Sequence, residues 1–307
     1  MAAGEAVQSR TQPAHLAPFA KLMAWLRGTK EVTPAAGGDA PRVVALAARD
    51  QPPLDTATLA QWLWGAGFHI PGDEEHVLGL VKPFALNPAM SMLYIGAGLG
   101  GGARAIATKY ATYVTALEAD EALVRRGMEM STLQGMQKRA PVTVYDPATL
   151  ELRSHSFDCI LARQCTYILA EKERFLKLLV AALKPHGHLL ITDYVLAPGA
   201  TGGALEAWQR QRRGRPPLWT AQQYSDCLAR LGLDIRVAED TTAKVRQLIL
   251  NGWAQMIATI DLPGLPKPHL LTIVDEAERW VRTLAAMDAG ALRIYRFYAL
   301  ASGPEVR

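Results

Sequence analysis

Between Met90 and Asp120 the chain reads MSMLYIGAGLGGGARAIATKYATYVTALEAD, and its chemistry-bearing residues are a set of glycines and one acid. Gly96, Gly98 and Gly100, with Ala97 between the first two, let the backbone turn tightly and approach a ligand. The helix that must follow presents N–H groups with no intrahelical acceptor, a natural seat for a polar or anionic group. Glu118 lies roughly 20 residues past the first glycine, where a carboxylate can accept hydrogen bonds from both hydroxyls of a ribose. Together these residues specify a cofactor that carries a nucleoside. A second acid, Asp146, ends the run VTVYD, where it can take the exocyclic amine of an adenine, with Pro147 and the Ala148 amide beside it.

The elements that position these residues are strands alternating with helices. Strands are predicted at Met92–Ile95, Tyr113–Glu118, Val142–Tyr145, Phe157–Ala162, His188–Asp193, Leu233–Val237 and Arg293–Ala301. Helices are predicted at Ala103–Lys109, Glu121–Leu133 and Lys172–Leu183, and a capping-box spacing opens another at Thr220. Such alternation implies right-handed crossovers, a parallel sheet and helices on both faces, an α/β doubly wound Rossmann-like fold. Upstream, His15–Arg27, Thr56–Trp64 and Asp73–Ala85 have helical spacing, with a TPAAGGDAP linker and an aromatic, glycine-rich loop, WLWGAGFHIPGDEE, between them. Two stretches break the alternation: a Gly/Arg/Pro-rich connection at 197–219 and a helical insertion at 241–289, whose apolar periodicity reads mainly as core packing and whose place beside the sheet end also suits a lid. The expected organisation is a helical extension with a cofactor-covering loop over 1–72, then one domain over 73–307.

The chain has 307 residues, half of them hydrophobic, so it can bury a sizeable core. A net charge of +4 without basic stripes argues against a nucleic-acid partner. The one dense basic run, Arg210, Arg212, Arg213 and Arg215, reads as a solvated loop or lid, with an anion- or phosphate-contacting role as the alternative. Three cysteines form no CxxC pair and no even disulfide set, and Cys159 reads as a reduced, buried thiol. No secretion signal or uncharged apolar run of membrane-spanning length is visible, so a cytoplasmic location and no membrane span are expected. No metal-ligand set is expected either.

GAGLGG satisfies GxGxxG, which leaves a nicotinamide or flavin reading open. Three features favour another cofactor: the internal position of the glycine strand, the second acid Asp146, and the succession FDCIL, LKPHG and LLITD. These residues resemble class I S-adenosylmethionine-dependent methyltransferases. The glycine loop of that family is matched by IGAGLGG, its ribose acid by Glu118, its adenine-side acid by Asp146, its FD strand by FDCILAR and its helix-ending LKPGG by LKPHG. The ITDY that follows is similar to the phosphoethanolamine and glycine/sarcosine N-methyltransferase branch. The resemblance covers roughly residues 60–240 and the final strand. It implies seven strands with the last antiparallel, S-adenosylmethionine as cofactor, and a small-molecule acceptor.

The resemblance places the cofactor between Phe68 and Gly72 upstream, the Tyr94-to-Gly100 strand and loop, Glu118 with Ala119, Asp146 to Ala148, and Arg163. The sequence departs from the pattern at three positions. Tyr94 stands where the family usually has an acid for the cofactor ammonium. Phe68 and Ile168 fall where the phosphoethanolamine branch has a tyrosine and a histidine, which disfavours a phosphobase acceptor. His69 and Tyr167 are their immediate neighbours. Trp64, Phe68, Arg163, Gln164, Tyr167 and Tyr194 are expected at the pocket mouth, with Tyr167 and Tyr194 positioning the acceptor and their character suiting an apolar or aromatic one. Methyl transfer from an activated sulfonium depends mainly on alignment, with a base needed only when the nucleophile must lose a proton. Two further readings stay open: a nicotinamide-dependent oxidoreductase, which would bind NAD(P), and a non-catalytic interaction module whose helical regions serve a partner or a second copy.

Overall fold

A computed structural model describes residues 53–211 and 217–303. The helix expected at His15–Arg27, the TPAAGGDAP linker, and Arg212, Arg213 and Arg215 lie outside the described residues.

Seven strands form one sheet: β1 (Ser91–Ile95), β2 (Tyr113–Glu118), β3 (Val142–Val144), β4 (Phe157–Arg163), β5 (Leu183–Leu196), β6 (Leu233–Asp240) and β7 (Leu292–Ala301). Their spatial order is β3-β2-β1-β4-β5-β7-β6. The pairs from β3 to β5 are parallel, while β7 runs antiparallel to both β5 and β6. The order reverses between β1 and β4, and in an open α/β sheet ligands bind at such a crevice, at the carboxyl ends of the strands.

Helices α1 (Thr56–Trp64) and α2 (Glu74–Val81) precede the sheet, and α3 (Gly101–Tyr110) and α4 (Glu121–Leu133) follow β1 and β2. Asp55, Asp73 and Asp120 cap α1, α2 and α4, accepting N–H bonds from the first turn at 2.8–3.1 Å. The predicted third helix ends early, because Pro83 has no N–H to donate and the chain tightens into a 3-10 turn at Lys82–Phe84. Helix α5 (Lys172–Ala182) connects β4 to β5, α6 (Gly203–Arg210) lies in the Gly/Arg/Pro connection, and α7 (Ala221–Arg230) carries the predicted capping box of Thr220 and Gln223. The 241–289 insertion is two long helices, α8 (Thr242–Thr259) and α9 (Lys267–Asp288).

LKPHG closes α5, which ends at Ala182, and the same run opens β5 at Leu183. Pro185 and His186 (φ 61°) fall where the β4–β5 register shifts between Phe157 and Cys159, so neither has to complete a regular ladder. The sheet buries both faces. One cluster joins Met92, Tyr94, Leu190 and Tyr194 to α1, α2, α8 and α9, and the other joins Leu93, Ile95, Leu189 and Ile191 to α5 and α7. All three cysteines are buried and free.

Candidate active site

The glycine loop leaves β1 at Gly96 and is tied down by its own amides. Gly96 and Ala97 donate to the Leu117 carbonyl at 3.0 and 3.1 Å, Gly100 to Ala97 at 2.9 Å, and Gly101 to Gly67 at 2.9 Å. The Gly98 N–H donates to Glu118 Oε2 at 2.8 Å. The loop therefore offers a ligand its close-approaching backbone and few vacant donors, unlike the open amides expected from Gly96 to Gly100. Two glycines are required sterically. At Gly96 (φ +73°) a Cβ would fall 2.5 Å from the Arg163 carbonyl oxygen, and at Gly98 (φ +56°) it would overlap the His69 ring. Gly98→Ala is expected to lower both the melting temperature and cofactor affinity. Calorimetry on Gly98→Ala with and without His69→Ala tests the contact, since removing the ring should recover part of the loss.

Glu118 sits at the end of β2 with Oε1 accepting the Ala119 and Asp120 N–H groups at 2.8 and 3.1 Å. It thus clamps the glycine loop to the start of α4. Asp146, just past β3, is exposed and holds the Ala148 N–H with Oδ1 at 2.8 Å. That amide, expected to read adenine, is turned back on Asp146 in an Asx turn. The second Asp146 oxygen has no partner among the described residues. Pro147 supplies only its carbonyl, 3.4 Å from Arg174 Nη1.

At the other end of the crevice lies a buried cation. Arg163, at the end of β4, is 2% exposed; it donates from Nη2 to the Pro71 carbonyl at 2.5 Å and from Nη1 to the Tyr94 hydroxyl at 3.4 Å. Its Nε has no partner, and no carboxylate among the described residues pairs with it. A buried charge without a counter-ion is costly. Gly72 packs against this guanidinium and the His76 ring. Burial, with Arg163 and Lys244 adding to it, pushes His76 down to about 3. Burial likewise holds His69 below the usual histidine range; Glu118 and Asp120 pull the other way and Arg163 adds to the lowering. Both imidazoles are neutral near pH 7.

A cavity of about 280 Å³ opens beside the loop, lined by His69, Ile70, Gln164, Tyr167 and Tyr194, with Gln211 from the end of α6 and Glu276, Arg279, Trp280 and Thr283 from α9. Tyr167 and Tyr194 meet edge to face at 4.9 Å, backed by Trp208 at 6.1 and 5.4 Å. Glu276 pairs with Arg279 and accepts the Trp280 Nε1–H at 2.8 Å. Of the residues expected at the pocket mouth, Gln164, Tyr167 and Tyr194 line the cavity. Trp64 is buried behind it, edge to face with Trp280 at 5.3 Å, and Phe68 packs under the start of α3 against Gly101. Ile168 is 47% exposed. The apolar periodicity of the 241–289 insertion points to core packing and does not single out its polar residues; Glu276, Arg279 and Trp280 share one face of α9 at i, i+3 and i+4 within the DEAERW run.

The Methyltransferase domain family matches residues 74–237, just over half the chain. Phosphoethanolamine N-methyltransferase 2 of Caenorhabditis elegans is 25% identical over 192 residues, covering 62% of this chain and 43% of that protein. The glycine/sarcosine/dimethylglycine N-methyltransferase of Actinopolyspora halophila is 27% identical over 159 residues, covering 50% and 27%. The chain thus matches less than half the length of these relatives. In structure it is similar to Haemonchus contortus phosphoethanolamine N-methyltransferase 2 in complex with S-adenosyl-L-methionine, with a TM-score of 0.72 at 22% identity, covering 80% of this chain and 56% of that one. The seven-stranded sheet with its antiparallel last strand is the class I architecture that the motifs implied, and the nicotinamide reading of the glycine loop gives way to it. By its matched core, its sheet and its glycine loop, the chain belongs to the Methyltransferase domain family, whose cofactor is S-adenosylmethionine.

Proposed function

We propose that the protein transfers a methyl group from S-adenosylmethionine to a small, apolar or aromatic acceptor seated between the glycine loop and α9. The observation that carries this reading is the juxtaposition of the two half-sites. His69 touches the loop at Gly98 and also lines the cavity bounded by Tyr167 and Tyr194. At about 280 Å³ the cavity lies near the small end of ligand pockets, roughly 300–1,000 Å³.

The chain's residues fit the cofactor. Glu118 stands at the carboxyl end of β2, where a ribose diol would lie, Asp146 keeps an oxygen for an adenine amine, and Arg163 has among the described residues no counter-ion of the kind that a methionine carboxylate would provide. With Tyr94 where the family usually has an acid, Arg163 would hold the methionine end through its carboxylate, and backbone carbonyls would be left to take the ammonium. The cofactor, when bound, supplies an activated methyl group. The Tyr167 and Tyr194 rings orient the acceptor, and Trp280 with its Glu276–Arg279 pair closes the far wall. Where the nucleophile must shed a proton, neutral His69 is placed to accept it.

Thermal shift separates this reading from its rivals. S-adenosylhomocysteine at 100 times its dissociation constant stabilises by about 2.7 kcal/mol, which raises Tm by roughly 5 °C or more for a chain of this size. NAD(P) should leave Tm unchanged. A shift with NAD(P) and none with S-adenosylhomocysteine would overturn the proposal, and no shift with either would favour a non-catalytic role. With methyl-labelled S-adenosylmethionine, small aromatic amines and phenols are expected to be labelled in preference to phosphoethanolamine.

A further inference from the structure

Asp193 is fully buried on β5, on the sheet face that carries Leu189, Ile191 and Val195. Tyr194, the next residue, turns to the opposite face and into the cavity. The carboxylate nevertheless reaches the cavity wall through the backbone. Oδ1 accepts the Tyr194 N–H at 2.9 Å, Oδ2 accepts the Tyr224 hydroxyl at 3.0 Å, and the Tyr167 N–H also donates to this carboxylate. One buried acid therefore holds the backbone of both aromatic residues that wall the acceptor cavity, although they come from different segments.

We propose that Asp193 is the positioning residue of the acceptor cavity, pinning Tyr167 to Tyr194 through their amides, so that a proton gained or lost at Asp193 resets the aromatic wall. The proposal rests on that cavity being the acceptor site.

The groups around Asp193 make it responsive. Lys172 on α5 is buried and held by the Leu169 and Pro217 carbonyls at 2.5 and 2.9 Å, Tyr224 reaches it from α7, Cys165 faces it from the β4–β5 connection, and Tyr295 is its cross-strand neighbour on β7. Among the described residues no cation pairs with it directly; Lys172 acts on it through its field. Burial therefore pushes the Asp193 carboxyl up to about 7, against the hydrogen bonds from Tyr194, Tyr224 and Tyr167 and the attraction of Lys172. When ionised, it can accept all three donors. When protonated, one oxygen becomes a donor and the grip on the Tyr167 loop loosens. Stability runs the other way. A carboxyl raised in the folded state contributes its stabilisation below the ordinary value near 4 and loses it as pH rises through about 7, so tightening the wall costs stability.

The test uses the full chain labelled with ring-¹³C tyrosine, the Tyr167 and Tyr194 signals being assigned by Tyr→Phe substitutions. Both signals are expected to move together between pH 5.5 and 8.5 with a shared midpoint near neutrality, and Asp193→Asn is expected to abolish the movement. Tyr224→Phe, which keeps the ring and the carboxylate but removes one donor to the charged form, should move the midpoint upward; this variant decides the matter if Asp193→Asn does not fold. Flat signals in the unsubstituted chain, a titration that survives Asp193→Asn, or an unmoved midpoint in Tyr224→Phe would each overturn the proposal. S-adenosylhomocysteine calorimetry on the same samples judges the transfer reading separately, because the tyrosine titration needs no cofactor.

Discussion

Replacing Arg163 with Met is expected to weaken S-adenosylhomocysteine binding by roughly 30-fold or more, because removing one partner of a buried hydrogen-bonded charge pair costs about 2–5 kcal/mol. The guanidinium is buried, fixed by Pro71 and Tyr94, and has no carboxylate partner among the described residues. A ligand carboxylate would complete it. Arg163→Lys keeps the charge and loses the planar fork, so it should recover only part of the affinity. The informative ligand is 5′-methylthioadenosine, which retains the nucleoside and lacks the amino-acid end. Isothermal calorimetry should find its affinity unchanged by Arg163→Met. An equal loss for both ligands would show that Arg163 acts by supporting the fold of the crevice and not by meeting the carboxylate.

Glu118→Ala is expected to weaken both ligands, and by more. Two charge-assisted hydrogen bonds at about 1.5–3 kcal/mol each make a loss of roughly 100-fold or more. The structure adds a second cost. Glu118 also accepts the Gly98, Ala119 and Asp120 amides, so its removal releases the glycine loop from β2 and α4. Glu118→Gln keeps one acceptor oxygen but turns its NH2 toward backbone N–H groups that the other oxygen now accepts, so it should retain only part of the melting temperature and still lose ligand affinity. Unchanged calorimetric affinity in Glu118→Ala would remove Glu118 from the ribose site. The opposed responses of 5′-methylthioadenosine to the two substitutions map the cofactor's two ends onto two residues.

Much of the frame was legible in the chain. Strand β2 and helix α4 have the predicted bounds, and β1, β4 and β7 differ by one residue at one end, because their apolar patterns are local and are bounded by glycine, proline and acids. The capping box at Thr220 was equally plain, since its two hydrogen bonds are local. LKPHG stops the helix as predicted, but that it also opens β5 through a bulge was not legible, because a bulge depends on the partner strand's register, which neighbouring residues do not encode. The site was legible to the same degree. Glu118, Asp146 and the glycines are fixed by strand ends and loop length. That the loop's amides are already spent on Leu117, Ala97 and Gly67 follows only from contacts between segments.

The sequence by itself determined the doubly wound sheet, the crevice at its carboxyl edge and the residue types set along it, because these follow from local periodicity and from the geometry that turns demand. Only the tertiary structure decided that Arg163 is a buried cation with no counter-ion among the described residues, that His69 bridges the loop and the cavity, that α9 brings Glu276, Arg279 and Trp280 to the cavity wall, and that Asp193 reaches the Tyr167 amide. Each of these joins residues tens to more than two hundred positions apart or on opposite faces of one strand. Their meeting depends on how whole elements pack, and packing is a property of the assembled core.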